Sequence, residues 1–563
     1  MFQATIDPVA GNLALSAAVG CIPLVAFFAC LVGLKLKAHV SAIIALVISI
    51  IVAVAGFKMP LDLTMYSAMQ GAVYGIFPIC LIIVAAVWFY NITVVSGRYK
   101  DLGRIFNIIG GGDVRMQALL IAFCFGALLE SLAGFGAPIA ITATMILGLG
   151  IKPIRAAMTV LLANTAPVAF GAVAVPIVTA GNMAPGAAGA AATSTHVAAI
   201  VGCQAPFFAV IVPLLVMIIL DGRKGLKDCW LPALVTGISF AIAQHWCSNF
   251  FTYELTDIVA SIFSMAVSVL FLHFWKGRGI AESRVRMGLP AEDTSHKSKL
   301  TPSRIWMAVM PYLVIIVVFV LGKMVLPLSA FDIKVPWPGL TQVAADGTVT
   351  SLVLNASGAN PGTIFTFGLL SNPGTMILVA GLIVAIIYHF FSDNGWFKLS
   401  MVDAVKELGL VCYRMRYSIL TIACVLSLAY VMNFSGQTIS IGQFLAGTGA
   451  LFALLSPVLG WVGTAVTGSD TSANALFSSL QAEAANANPA LGDVSSDLFL
   501  AANTMGGVTG KMVSPQSLAI AASATYESES TLFKKLLPWS LGMLVVLCCL
   551  VYAQAHWLSF MIP

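Results

Sequence analysis

Hydrophobic residues follow one another along this chain in runs of about 20, separated by short polar stretches. A run of this length spans the hydrocarbon core of a bilayer as an α-helix. The pattern therefore predicts an all-α polytopic membrane protein with about twelve transmembrane helices. These helices are predicted near residues 13–34, 39–57, 73–96, 155–180, 195–220, 231–249, 255–275, 305–326, 374–391, 408–433, 496–524 and 536–558.

Two further apolar segments, at about 115–149 and 440–480, are interrupted at mid-length by Gly, Ser, Thr and Pro. Irregular backbone at membrane depth is tolerated only where protein or water covers it. Each segment is therefore predicted to form a re-entrant hairpin, in which a turn joins two half-helices.

Short motifs of the first half recur in the second half at one constant offset of 339 residues. Paired apolar segments with Gly or Pro interruptions are the signature of a secondary transporter that binds its substrate at the interruptions. The pattern predicts two repeats, each with a hairpin and a broken helix, at about 155–180 and 496–524. The offset pairs Asn164 with Asn503, Thr165 with Thr504, Gly171 with Gly510, Pro176 with Pro515, and Ser96 with Ser435.

Lysine and arginine are concentrated in some loops, such as 97–115 and 276–304, and are absent from 181–194 and 481–495. Because positively charged loops stay in the cytoplasm, both chain ends are predicted to be external and the two repeats to be inverted. The predicted organisation is an N-terminal span at 1–34, repeat 1 at 35–220, a connecting region at 221–373 and repeat 2 at 374–563. The connecting region contains a cytoplasmic linker at 276–304 and an external loop at 328–373.

The composition agrees with a membrane protein: 59% of the 563 residues are hydrophobic and 9% are charged, against about 25% charged in soluble domains. The net charge of +5 indicates membrane orientation rather than affinity for nucleic acid. We find no phosphate-binding loop, nucleophile triad or metal-ligand spacing. The sequence therefore predicts neither an enzyme nor a cofactor or metal site.

The predicted breaks, at 164–167 and 504–507, would present half-helix N-termini, which attract anions. The predicted hairpin tips, at 131–136 and 468–474, would face them and complete a site for an anionic substrate. The alternative is that the breaks are packing kinks. The predicted substrate-binding residues are Ser131, Gly134, Gly136, Asn164, Thr165, Ser469, Thr471, Ser472, Asn503, Thr504 and Lys511.

Glu130 and Asp470 are acidic residues at the predicted hairpin tips. A carboxylate is costly at membrane depth, and loss of hydration favours its protonated form. Both are therefore candidates for proton coupling, the alternative being carboxylates satisfied by their own hairpins. Lys511 could pair with either acid or with the substrate, or extend towards the interface. We expect it to pair with Asp470, which lies in the same half, leaving Glu130 to carry the proton.

The residues around these features resemble those of the lactate permease family. The resemblance covers nearly the whole chain, the loop 328–373 being the part that matches poorly. The matching stretches are residues 123–130, 133–138, 164–171, 241–244, 248–250, 467–472, 501–504, 506–511, 514–517 and 561–563.

The resemblance implies proton symport of lactate, and of glycolate in many members, across a bacterial inner membrane. It also implies a place in a larger ion-transporter superfamily whose members typically work as homodimers with an elevator mechanism. Three alternatives remain from the residues themselves: a sodium-coupled carrier for larger organic acids, an anion channel with the same broken helices, and a membrane-embedded receptor or scaffold.

Overall fold

The computed structural model describes residues 1–563 except 35, 100, 102–104, 106–112, 133–136, 276, 291–300, 327, 345, 357, 359, 361, 393–395 and 493. Among the described residues, eleven helices are long and apolar enough to cross a membrane, or twelve if the bent pair Pro153–Ala163 and Val168–Met183 is one span. This confirms the predicted all-α polytopic class.

The helices of the first part of the chain include one of 61 residues, Ala190–Phe250, in which Asp221 and Gly222 have non-helical backbone angles. This kink divides the long helix into two segments, each long enough to cross a membrane. The helices are Leu13–Phe28, Ala38–Ile51, Leu61–Tyr74, Leu81–Val95, Val114–Leu119, Gly126–Leu132, Ala137–Gly148, Pro153–Ala163, Gly171–Met183, Ala190–Phe250 and Thr256–Phe274.

The second part of the chain contains a short polar helix, Ile280–Met287, followed by apolar helices that again include a hairpin and a broken pair. The helices are Ile280–Met287, Pro302–Val320, Pro373–Phe390, Met401–Ser435, Gln437–Ala446, Phe452–Thr467, Asp470–Asn486, Asp497–Lys511, Pro515–Thr525 and Glu529–His556.

Hairpin 1 consists of an outgoing arm, Val114–Leu132, and a returning helix, Ala137–Gly148, which pack against each other. The most apolar window of the outgoing arm is completely buried inside the protein. A helix that faced lipid would keep one side exposed, so the burial agrees with an enclosed hairpin. Its base is held by Arg115, which forms ion pairs with Asp113 at 2.8 Å and with Asp221 at the kink of the long helix at 3.2 Å.

Hairpin 2 consists of Phe452–Thr467 and Asp470–Asn486. Gly468 turns the chain with a φ of 77°, a value that glycine adopts without strain. The Ser469 side chain then caps the second helix by accepting a hydrogen bond from the Ser472 amide at 3.2 Å. The hairpin therefore begins and ends later than the predicted 440–480, because Gln437–Ala446 forms a separate helix.

Broken helix 1 comprises Pro153–Ala163 and Gly171–Met183, and the chain bends by 63° between them. Ala172, Val173 and Ala174 all have positive φ angles of 45–60°. Such angles are unfavourable for residues with a Cβ. The regular part of the second half-helix therefore starts close to Pro176.

Broken helix 2 comprises Asp497–Lys511 and Pro515–Thr525, so its break is at residues 512–514. The predicted break at 504–507 is wrong, because these residues are helical. Their glycines serve packing instead: a Cβ at Gly506 would lie 2.0 Å from the Pro457 carbonyl oxygen of hairpin 2. The offset of 339 residues aligns only the later end of the first break with the second break, since it carries the strained residues 172–174 onto 511–513.

The loop 328–373 contains short β-strands that the sequence did not predict. Ile333–Pro336 pairs with Ile364–Phe367, and Thr341–Val343 pairs with Val349–Ser351, both antiparallel. The first residues of the chain join this loop, because Phe2–Gln3 lies parallel to Val353–Leu354.

Candidate substrate site

Four chain segments meet at a small cavity of about 30 Å³, which has room for about one water molecule. Both hairpins contribute residues at or near their tips, and both broken helices contribute residues at or near their breaks. The lining residues are Glu130 of hairpin 1, Val168, Gly171, Ala172 and Pro176 of broken helix 1, Gly468, Ser469, Asp470 and Thr471 of hairpin 2, and Lys511 of broken helix 2.

An ion pair between Glu130 and Lys511 lies at this cavity. The Lys511 ammonium donates to one oxygen of the Glu130 carboxylate, and Asn164 Nδ2 donates to the other at 3.0 Å. Glu130 is 1% exposed and Lys511 is 8% exposed. The pair therefore joins both halves of the chain in a nearly dry environment, where an uncompensated charge is costly.

The expectation that Lys511 pairs with Asp470 is wrong. The two residues belong to the same repeat, but the lysine reaches across to the opposite hairpin. Position in the same half of the sequence does not determine proximity here, because each broken helix packs between both hairpins.

Asp470 is the first residue of the second helix of hairpin 2 and is 3% exposed. Its Oδ1 accepts a 3.4 Å hydrogen bond from Thr464, and its Oδ2 has no hydrogen-bond partner in the described part of the chain. Lys511 is close enough to act on it electrostatically. Gly507 makes room for this carboxylate, since a Cβ there would lie 1.9 Å from Asp470 Oδ1. Asp470 thus offers an acceptor to whatever enters the cavity.

Asn503 and Thr504 do not line the cavity in this structure. Asn503 accepts a 2.7 Å hydrogen bond from Gln481 and donates at 2.8 Å to Asn474, which also accepts from Thr504 at 3.1 Å. Asn474 in turn donates to the Pro176 carbonyl of broken helix 1 at 3.2 Å. This buried amide network connects hairpin 2 with both broken helices.

Asn474 lies at the end of the predicted hairpin tip 468–474 but was not among the predicted substrate-binding residues, and Gln481 was not predicted at the site at all. Both lie on Asp470–Asn486, a helix that is almost entirely buried although much of it is polar. Polar residues inside a membrane protein need internal partners, so this polarity was the available signal.

The other predicted site residues lie in several places. Ser131 and Thr165 are buried, and their hydroxyl groups donate to carbonyls of their own helical turns, Leu128 at 2.8 Å and Leu162 at 2.6 Å. Thr471 and Ser469 line the cavity, whereas Ser472 lines a neighbouring vestibule. Gly134 and Gly136 lie outside the described residues.

The vestibule has a volume of about 720 Å³ and ends at the tip of hairpin 2. Ser469 lines both the vestibule and the small cavity. His39 and Tyr417 stack on its wall with ring centroids 4.7 Å apart. The tip of hairpin 2 therefore separates a water-sized cavity from a space large enough for a small organic acid.

A family model described as L-lactate permease matches residues 16–558 of this chain. The chain belongs to the L-lactate permease family. The glycolate permease GlcA of Escherichia coli (strain K12) is 40% identical over 97% of each chain. The L-lactate permease of Salmonella typhimurium (strain LT2) is 39% identical over the full length of both chains. The L-lactate permease of Bacillus subtilis (strain 168) is 37% identical over 99% of each chain.

Proposed function

We propose that this chain is a secondary carrier that takes up lactate, glycolate or a related 2-hydroxy-monocarboxylate together with a proton across the bacterial inner membrane. Family membership supports the transport of such acids, since the relatives are named as permeases for L-lactate and for glycolate. The observation that carries the mechanism is the buried Glu130–Lys511 pair at the cavity where both hairpins and both broken helices meet.

The substrate carboxylate binds Lys511 in place of Glu130. Lys511 is the cation that lines the cavity, and its ammonium is already committed to a carboxylate there. A second carboxylate of similar geometry can therefore compete for it. A charge-assisted hydrogen bond of this kind is stronger than one between neutral groups.

Proton coupling follows from the balance of charge. One lysine compensates one anion, so a substrate bound to Lys511 leaves Glu130 as an uncompensated carboxylate in a low-dielectric site. Glu130 then takes up a proton and becomes neutral. The proton and the substrate anion thus enter together, and release of the substrate restores the Glu130–Lys511 pair.

Asp470 recognises the 2-hydroxyl group of the substrate. Its Oδ2 has no hydrogen-bond partner among the described residues and the side chain lines the cavity, so it can accept from a hydroxyl donor. Because the cavity holds about one water, the substrate enters by displacement of the hairpin 2 tip, which borders the vestibule at Ser469.

Uptake of labelled lactate into proteoliposomes tests this function. We expect accumulation driven by an inward proton gradient in sodium-free buffer, and counterflow exchange of labelled for unlabelled lactate. Accumulation that requires sodium would support the sodium-coupled alternative instead. Flux without counterflow would identify a channel, and binding without flux a receptor. Each of these three results would overturn the proposal.

A further inference from the structure

A third buried carboxylate, Asp257, lies outside the substrate cavity. It is in the first turn of Thr256–Phe274 and is 1% exposed. Gln244 Nε2 donates to its Oδ1 at 2.9 Å, while its Oδ2 has no partner in the described part of the chain. Among the same residues it forms no ion pair. Asp257 thus has one neutral donor, whereas Glu130 has an ammonium and an amide.

This arrangement disfavours an ionised Asp257. A buried carboxylate without a cation and with one unsatisfied oxygen is much less stable in its ionised form than in water, and binding a proton removes that penalty. Gln244 Oε1 is also buried without a partner. A protonated Asp257 keeps the hydrogen bond that its Oδ1 accepts from Gln244 Nε2, because the proton can reside on Oδ2.

Asp257 is connected to the substrate site through two routes. Its helix packs against Gly126–Leu132, which carries Glu130, and the two carboxylates interact electrostatically. Gln244 Nε2 also donates to the Ala166 carbonyl at 3.4 Å, within the break of broken helix 1. Two like charges close together in a low-dielectric interior oppose each other, so one carboxylate ionises more easily while the other is protonated.

Besides Glu130, the titratable groups near Asp257 in the described part of the chain are one acid, one thiol and one phenol. Glu254 precedes it by one turn and accepts a hydrogen bond from Thr252, and Cys247 donates to the Thr252 carbonyl at 3.4 Å. Tyr253 is partly buried and lies beside Glu254. None of these groups supplies a positive charge to Asp257.

We propose that Asp257 is a proton-binding station that exchanges its proton with Glu130. While Glu130 is paired with Lys511, Asp257 holds the proton. When the substrate carboxylate takes Lys511, the proton passes from Asp257 to Glu130, leaving Asp257 ionised until it is protonated again from water. The inference rests on the proposed function, because it supplies the proton that Glu130 needs.

The substitution Asp257→Asn tests the station, because asparagine keeps the shape and cannot carry a proton. In proteoliposomes we expect the initial rate of gradient-driven lactate and proton uptake to fall by about tenfold or more. This fall corresponds to an increase of about 1.4 kcal/mol or more in the activation free energy of uptake. At saturating lactate and equal pH, one lactate replaces another on Lys511 while Glu130 keeps its proton. Exchange should therefore stay within about twofold of wild type. The final accumulation and the ratio of protons to lactate should be unchanged, since Glu130 still sets the coupling.

Two further variants separate this role from a structural one. Asp257→Glu restores a proton-binding group and should recover much of the uptake rate. Ser261→Ala removes a buried hydroxyl one turn further along the same helix and should change neither rate. Among the described residues this hydroxyl donates to the backbone carbonyls of Asp257 at 2.6 Å and Ile258 at 3.0 Å, and not to the Asp257 carboxyl group.

A wild-type uptake rate in Asp257→Asn would overturn the proposal that Asp257 supplies the proton. Equal slowing of uptake and exchange would overturn it too, as would a loss of final accumulation. If Asp257→Asn does not fold, Gln244→Leu is the second test, because it removes the hydrogen-bond donor to Asp257. A wild-type uptake rate in Gln244→Leu would overturn the role of Asp257. An uptake rate with altered pH dependence, together with unchanged exchange, would support it. A wild-type protein that shows no proton uptake with lactate would refute the proposed function itself.

Discussion

Each hairpin places an acidic residue at the same cavity, but the two acids have different hydrogen-bond and charge partners. In hairpin 1, Glu130 is compensated by Lys511 and also accepts from Asn164. In hairpin 2, Asp470 has a long hydrogen bond from Thr464 and one free oxygen among the described residues. The lysine comes from repeat 2, yet it compensates the acid of repeat 1.

We infer that the two acids have different roles in the proposed transport. A compensated acid that can lose its cation to a competing anion is suited to coupling. An acid with a free acceptor at the cavity is suited to recognising a donor on the substrate. Lys511 makes the two acids unequal, because it pairs with Glu130 and not with Asp470.

Lys511→Met tests the compensated side and should have the largest effect. It leaves Glu130 buried without its cation, which costs about 3–5 kcal/mol when one partner of a buried pair is removed. We expect a clear fall in the thermal unfolding temperature of the purified protein and loss of lactate binding.

The double variant Glu130→Gln with Lys511→Met is the matched control. Because no charge remains unpaired, it should recover most of the stability while lactate binding stays lost. A single Lys511→Met variant as stable as wild type would show that the pair does not hold the hairpin in place.

Gly507→Ala tests how closely hairpin 2 packs against broken helix 2, with an intermediate effect. The new methyl group would meet Asp470 Oδ1 at 1.9 Å, and overpacking of this kind costs about 1–3 kcal/mol. Gly542→Ala is the control, because a Cβ there meets nothing within 4 Å and the residue is helical. Equal unfolding temperatures of both variants would contradict the packing.

Asp470→Asn tests the recognition side and should have the smallest effect. Asparagine that keeps its oxygen towards Thr464 places an NH2 group where the free acceptor was, so the hydrogen bond from the 2-hydroxyl is lost. Such a bond contributes about 1 kcal/mol, so lactate should bind about fivefold more weakly. Propionate, which lacks the 2-hydroxyl group, should bind equally well to variant and wild type. The assignment fails if the variant weakens both acids alike.

Much of this architecture follows from the sequence. Long apolar runs predict the membrane helices because a bilayer demands them, and the Gly and Pro interruptions predict the two hairpins. The second break was predicted at 504–507 but lies at 512–514, because glycine in a membrane helix can mark either a break or a site of close packing. Gly506 and Gly507 permit close packing inside a continuous helix, while Pro515 starts the half-helix after the break.

The candidate site was predictable in part. Glu130, Asp470, Lys511 and Thr471 all line the cavity. Their pairing was not predictable, since it depends on how the inserted hairpin packs against a helix nearly 400 residues later in the chain. Asn503 was expected at the substrate because it aligns with Asn164, but in the structure it belongs to the amide network with Gln481.

Proton uptake during lactate transport by Glu130→Gln tests the central claim most directly. A pH-sensitive dye inside proteoliposomes reports protons while labelled lactate reports substrate, in wild type and variant at equal protein density. Glutamine leaves Lys511 free to bind lactate without a proton, so we expect exchange to persist while proton uptake and uphill accumulation disappear. A variant that still takes up protons with lactate, and still accumulates it, would contradict the assignment of coupling to Glu130.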